Sequence, residues 1–419
     1  MVNTSRRIAA ALYAYSLLDD LVLLYPVYAL LFAGTGLSVW QITSLFIIWS
    51  GSSLVLEVPS GIWADTVSRR LLLIAGPLLT VVAFASWVAF PSYWVFALGF
   101  LLWGLKGALA SGALEALVYE ELERVGAEDR YGTIMGRASA AGTIGGVLAM
   151  ALAAPALAFG GYAAVGVASA VVSLLTAAVA AVFPEHRKPI GDAREGGSFT
   201  GLLRAGTLEV KRVPAVRSAV VTVAVVAAIW GALEEYTPLL VLGTGVPVAG
   251  VPLFELLVWA GVAAGDLLTS GAETLGRVAF GALLAAAAAV LAAAALIRHP
   301  ASMVAVAVAI GGFQLATVLA DVRLQHAITG PARATVTSLA GMTTDVGTIA
   351  VYGCYAVLAT AAGHQGAFAL LCIPYLVLAV RLVRGGRATR SPAVPGPPAA
   401  SEPSGDTVPA GSPAPVQEP

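Results

Sequence analysis

The sequence predicts an all-α membrane protein, with twelve transmembrane helices arranged as two pseudo-symmetric six-helix bundles. Three observations carry that expectation. Hydrophobic residues make up 58% of the chain and charged residues only 11%, against about 25% charged in an ordinary soluble domain. The apolar residues fall into segments that can each cross a bilayer, which takes about 20 residues. The basic residues alternate with those segments as a multi-pass protein requires.

The segments run over residues 8–33, 38–59, 71–90, 93–118, 133–157, 162–183, 216–242, 251–270, 276–297, 301–322, 335–360 and 365–383. Pro91, Gly160-Gly161, Gly243-Thr244-Gly245, Pro300 and Gly363 fall between them as turn residues. Length and breakers define these helices, because a helix that is apolar all round has little amphipathic periodicity. With the N-terminus in the cytoplasm, every Lys and Arg except Lys106 and Arg298 falls on the inner side. Both termini are then cytoplasmic, and the expected location is the cytoplasmic membrane.

The expected organisation is an N-terminal bundle over 1–183, a basic cytoplasmic loop over 184–215, a C-terminal bundle over 216–383 and a tail over 384–419. The tail is rich in Pro, Gly and Ser and is read as disordered. The first segment is not read as a cleaved leader. Asp19 and Asp20 interrupt it, and no small-residue cleavage site follows. Twenty arginines against three lysines, with abundant Ala and Gly, fit a GC-rich bacterial genome.

Several classes are set aside. A net charge of −1 gives no reason to expect nucleic acid. Two cysteines, Cys354 and Cys372, cannot build a disulfide scaffold or a Cys-rich zinc site. There is no G-x-x-x-x-G-K-[ST] and no H-E-x-x-H. No ATP, metal or other cofactor is expected, and no enzyme activity.

The two halves echo each other. Asp19-Asp20, Pro26, Gly34-Thr35-Gly36 and Leu45-Phe46 recur in order as Glu234-Glu235, Pro238, Gly243-Thr244-Gly245 and Leu253-Phe254. Parallel six-helix repeats are one way of building a transporter with its site between the halves.

Charges within spans are the main functional signal, because an ionisable group in the bilayer is costly unless it meets water or a partner. Asp19 and Asp20 lie mid-span, and two neighbouring carboxylates suit proton uptake and release. Lys106, in the fourth span, is a plausible partner for either, and a purely structural ion pair is the competing reading. Glu234 and Glu235 precede Pro238, which cannot donate to the carbonyl of Glu234. That helix is expected to be kinked or loosened there. Gln314 with Thr317 and Asp321, and Asp345 with Ser338 and Tyr352, form stripes that either line a cavity or bond between helices. Glu57, Glu255 and Asp266 lie near span ends and are read as solvated or paired. Glu115 is weighted toward helix packing. Ala138, Gly142 and Gly146, with Gly145 beside them, read as a close-packing face.

The loop Gly61-Ile62-Trp63-Ala64-Asp65-Thr66-Val67-Ser68-Arg69-Arg70 closely resembles the G-x-L-A-D-x-x-G-R-R loop of the major facilitator superfamily. The resemblance covers about residues 7–383. Leu56 to Gly61 and Gln325 to Leu339 are similar to stretches of its drug-efflux members. Ser68 departs from the family glycine and Thr66 from a frequent basic residue. In the fourth span, Trp103 and Lys106 stand where the family has Arg and Gln. The resemblance implies an inner gate built on Gly61, Asp65, Arg69 and Arg70. Asp65 is expected near the start of span eleven, and the arginines are expected to pair with Glu120, Glu121 or Glu123. It also implies alternating access around a central site.

The expected function is proton-coupled efflux of a small, fairly apolar organic compound by a monomer in the lipid bilayer. The alternatives are proton-coupled uptake of a metabolite, or a membrane receptor that kept the fold without transporting. The candidate cavity or proton-coupling residues are Asp19, Asp20, Lys106, Glu234, Glu235, Gln314 and Asp345.

Overall fold

The computed structural model describes residues 2–186, 207–208, 210–272, 274–328 and 333–388, with side chains set aside at 2–4, 57–66, 334 and 385–388. Most of the middle loop and the tail beyond 388 lie outside the described residues. All regular structure among the described residues is helical.

Among the described residues, ten runs are long and apolar enough to cross a membrane. Two of them, Glu128–Ala180 and Thr335–Arg384, hold 53 and 50 residues, more than twice what one crossing needs. Each is broken once by a glycine in the left-handed region, Gly161 at φ 59° and Gly363 at φ 72°. Only glycine takes that conformation without steric cost. Each run is therefore two spans, and the ten runs make twelve.

The spans are less continuous than expected. The first span is a helix over Val2–Asp20, a single tight turn over Tyr25–Val27, and a short helix over Tyr28–Gly34. Pro26 lacks the N–H that would continue the ladder. The seventh span repeats this. Helix Pro214–Glu234 ends at the acidic pair, and Thr237–Leu242 resumes past Tyr236. The fourth span also breaks. Its helix Tyr93–Ala110 gives way at Gly112, φ 70°, to Ala113–Arg124. Glu115 sits exposed in the first turn of that last helix rather than packed against a neighbour.

The pseudo-symmetry extends to these details. In both halves the opening helix stops at its acidic pair. Both opening spans end at the third residue of the GTG turn in a left-handed conformation, Gly36 at 84° and Gly245 at 91°. Contacts between the halves are paired in the same way. Span two (Val39–Thr66) packs on span eleven, and span eight (Val251–Ala272) packs on span five.

Lipid supplies little hydrophobic drive between helices, so close approach of small residues holds them together. A side chain at Gly145 would run into the backbone of Leu17, and one at Gly142 into the Asp20 carboxylate. Spans eight and ten touch backbone to backbone through Gly261, Gly265 and Gly311. Large apolar side chains such as Trp94, Phe159 and Leu267 stand exposed on the outside, as a bilayer requires.

Near the GTG turns the two halves are sealed together. Thr43 and Tyr236 share a hydrogen bond of 2.8 Å, and the Phe46 ring lies 5.2 Å from Tyr236 and 5.7 Å from Tyr352. On the opposite face, which carries the N-terminus, the ion pairs of the described residues stay within one half.

Candidate functional site

The break in the first span opens onto a cavity of about 520 Å³, within the range of small-molecule sites. Span one contributes Tyr15, Ser16, Asp19, Asp20 and Tyr25. Span four adds Trp103 and Lys106, span five adds Met135, Ser139, Gly142 and Thr143, and Trp259 reaches in from the second half. The lining runs from Pro26 and Trp103 toward Leu114 and Met135, that is, toward the N-terminal face.

Two of the expected charges meet here. Lys106 Nζ donates to Asp19 Oδ2 at 2.7 Å, with both side chains mostly buried. Asp20 lines the same cavity and packs against the bare face of Gly142. Both carboxylates sit at the C-terminal end of helix Val2–Asp20, where the helix dipole is negative. That end is a favourable place for a cation. The Tyr15 hydroxyl is buried at the cavity wall and has no hydrogen-bond partner among the described residues. The wall is mostly apolar and aromatic, and Asp19, Asp20 and Lys106 are its charged side chains.

Glu234 and Glu235 lie in a separate, very small chamber of about 10 Å³, whose wall includes Tyr25, Pro26, Met150 and Trp259. Those four residues also line the large cavity, so the two chambers share one partition. The Tyr25 hydroxyl spans it with a long hydrogen bond of 3.5 Å to Glu234. A third carboxylate joins the pair. Glu255 is 4% exposed, and its Oε1 has no hydrogen-bond partner among the described residues. Its position corrects the reading of a solvated or paired residue near a span end. The repeat contains a signal for it: Leu253-Phe254-Glu255 answers Leu45-Phe46-Ile47, so an acid stands where the other half is apolar.

Asp345 lies elsewhere, in a cavity of about 270 Å³ with Ser50, Ser53 and Thr348. Gln314 lines neither cavity. Its amide donates to Asp266 at 2.8 Å and ties span ten to span eight.

At the N-terminal face, Arg69 pairs with Glu120 at 2.6 Å. Arg70 donates to the Phe183 carbonyl at 3.3 Å. Ser68 caps span three by accepting from the Leu71 N–H at 3.1 Å and donates to Glu185, which also accepts from the Arg69 N–H at 2.8 Å. Glu121 accepts from Arg124 at 3.2 Å and from the His186 N–H at 2.7 Å. These bonds join the ends of spans three, four and six within the first half. Gly61 and Asp65 belong to helix Val39–Thr66, and their side-chain surroundings lie outside the described residues.

The opening helices are broken, the two halves meet at one face, and a cavity of small-molecule size lies at the first break. A family profile described as the Major Facilitator Superfamily matches residues 10–320, and the chain belongs to that superfamily. Solved structures share the fold at low identity. A nucleoside transporter, NupG, aligns at TM-score 0.73 with 13% identity over 91% of this chain and 98% of its own. A bacterial homologue of the human lysosomal transporter Spinster, captured inward-facing and unoccupied, aligns at 0.61 with 16% identity over 92% of this chain and 96% of its own. A D-xylose-proton symporter aligns at 0.63 with 15% identity over 90% and 96%. No curated protein matches the sequence.

Proposed function

We propose that the chain is a secondary active transporter that exports a small amphipathic organic compound across the cytoplasmic membrane in exchange for protons. The observation that carries this reading is the placement of Asp20 in the wall of the large cavity. A proton and a bound compound then compete for one site, which is what exchange requires. The closed GTG face and the cavity running toward the N-terminal face match a state that loads from the cytoplasm, given cytoplasmic termini. In this reading residues 1–183 and 216–383 rock as two bodies about the site, linked by 184–215. Arg69–Glu120 belongs to the inner gate, with Gly61, Asp65 and Arg70.

A second reading has its own observation. The chamber of Glu234, Glu235 and Glu255 is walled off from the cavity, so a proton there is bound together with the compound. That arrangement suits symport and uptake, and the likeness to a proton symporter agrees with it. Efflux of a lipophilic cationic dye from a pump-deficient bacterium separates the two. Export predicts wild-type efflux that stops with a protonophore and falls in Asp20→Asn. Symport predicts no efflux, and proton-driven accumulation that falls in Glu255→Gln. Solute flux in neither direction, from well-expressed protein, would leave the receptor alternative.

A further inference from the structure

The second half carries another cavity, of about 310 Å³, far from the acidic chambers and at the N-terminal face. Ser218 and Thr222 of span seven, Arg277 and Phe280 of span nine, Arg323 of span ten and Leu382 of span twelve form its wall. Arg323 is fixed in place. Its guanidinium stacks 3.9 Å above the Phe280 ring and donates to the Leu275 carbonyl at 2.7 Å. Arg277 stands exposed, and none of the ion pairs of the described residues involves it. It lines the same cleft as Arg323.

Two guanidinium groups thus converge on one cleft with no described carboxylate to answer them. Span nine begins there, at Arg277, behind Gly276 and without a side-chain cap. A helix start has N–H groups without intrahelical partners, and the helix dipole is positive at that end. Arginine forks and bare helix starts both favour phosphate oxygens. The rest of the wall is alanine and other apolar side chains. At about 310 Å³ the cleft falls at the small end of small-molecule sites, more than an inorganic phosphate fills. The cleft therefore fits a ligand with a phosphate at one end and hydrocarbon at the other, on the face where basic residues collect.

We propose that this cleft binds the phosphodiester headgroup of an anionic phospholipid. Clefts of basic residues between transmembrane helices recognise such headgroups through charge, and each arginine near the surface contributes about a fivefold gain in retention. Held between spans seven, nine, ten and twelve, the lipid would brace the base of the second half.

The test uses the full-length protein, delipidated in detergent and titrated under native mass spectrometry with phosphatidylglycerol, phosphatidylcholine or inorganic phosphate. Wild type is expected to retain phosphatidylglycerol at least about fivefold more tightly than phosphatidylcholine. Arg277→Gln should remove most of that preference, Arg277→Lys should keep part of it, and Arg298→Gln, in a turn at the GTG face, should leave it intact. Equal retention of the two lipids by wild type overturns the proposal without any variant. So does a preference that survives Arg277→Gln and Arg277→Glu in protein with an unchanged melting temperature. Inorganic phosphate binding as tightly as phosphatidylglycerol would make this a free-phosphate site and overturn the lipid assignment.

Discussion

The hydroxyls of Thr43 and Tyr236 lie 2.8 Å apart and belong to opposite halves of the molecule. Tyr236 also stacks on Tyr355 at 3.5 Å, and the Tyr355 hydroxyl meets His364 Nδ1 at 2.7 Å. One bond across the halves is therefore backed by a rigid pair of rings. A transporter must break this contact to open at the GTG face. One hydrogen bond is worth about 1 kcal/mol, or roughly fivefold in an equilibrium. Tyr236→Phe keeps the rings and loses the bond, so it should raise the GTG-face-open population about fivefold. Spin-label distances across the two turns would show it. No change would mean that the rings alone hold the face shut.

Asp19 and Lys106 form a pair that lines the large cavity, with side chains 24% and 15% exposed. Removing one partner of a buried pair strands the other charge, at up to about 3–5 kcal/mol for full burial. Partial exposure lowers that figure here. Asp19→Asn and Lys106→Met should each lower the melting temperature and abolish flux. The double variant should recover much of the stability and none of the flux. Recovery of flux in the double variant would reduce the pair to a structural role.

Glu255 has an unpartnered oxygen in a chamber that holds about one water-sized particle. Its neighbours there are Glu234, Glu235 and Tyr25. Three carboxylates line that space, and like charges held close together repel. Glu255→Gln keeps the shape and removes one charge, so it should raise thermal stability. If the chamber couples transport to protons, the same variant loses flux driven by a pH gradient and keeps gradient-independent exchange. Unchanged pH-driven flux would assign coupling to Asp20 alone.

Gly161 and Gly363 hold equivalent left-handed breaks in the two halves. Alanine at either should cost about 1–2 kcal/mol, and the two losses should be similar. A large loss at one and none at the other, read by thermal unfolding in detergent, would argue that the breaks are not equivalent.

Much of the fold is legible because bilayer physics leaves few options. Apolar length marks the spans, and Gly161 and Gly363 mark turns inside helical runs that would otherwise merge. The repeat shows in Asp19-Asp20 and Glu234-Glu235, each followed by a proline. Pro238 also announces that the seventh span loosens at its acidic pair. Less legible is that the opening helices stop there outright, and that Gly112 breaks the fourth span. One glycine in an apolar run reads equally as packing or as a hinge. Glu255 escapes because position along a span says little about burial. Only the fold-back at Gly243–Gly250 brings it against Glu234. Gln314 shows the converse case. Its stripe with Thr317 and Asp321 resembles a cavity face, yet the nearest polar partner, Asp266, belongs to the adjacent helix.

In the proposed exchange, solute and protons cross in turn and in opposite directions through the Asp20 cavity. The most direct measurement is proton movement in liposomes holding purified protein and a pH-sensitive dye, with an outward gradient of a drug-sized amphipathic compound imposed. The account predicts inward proton flow in wild type that is absent in Asp20→Asn. Compound flux with no proton movement, or proton flow unchanged in Asp20→Asn, would contradict it.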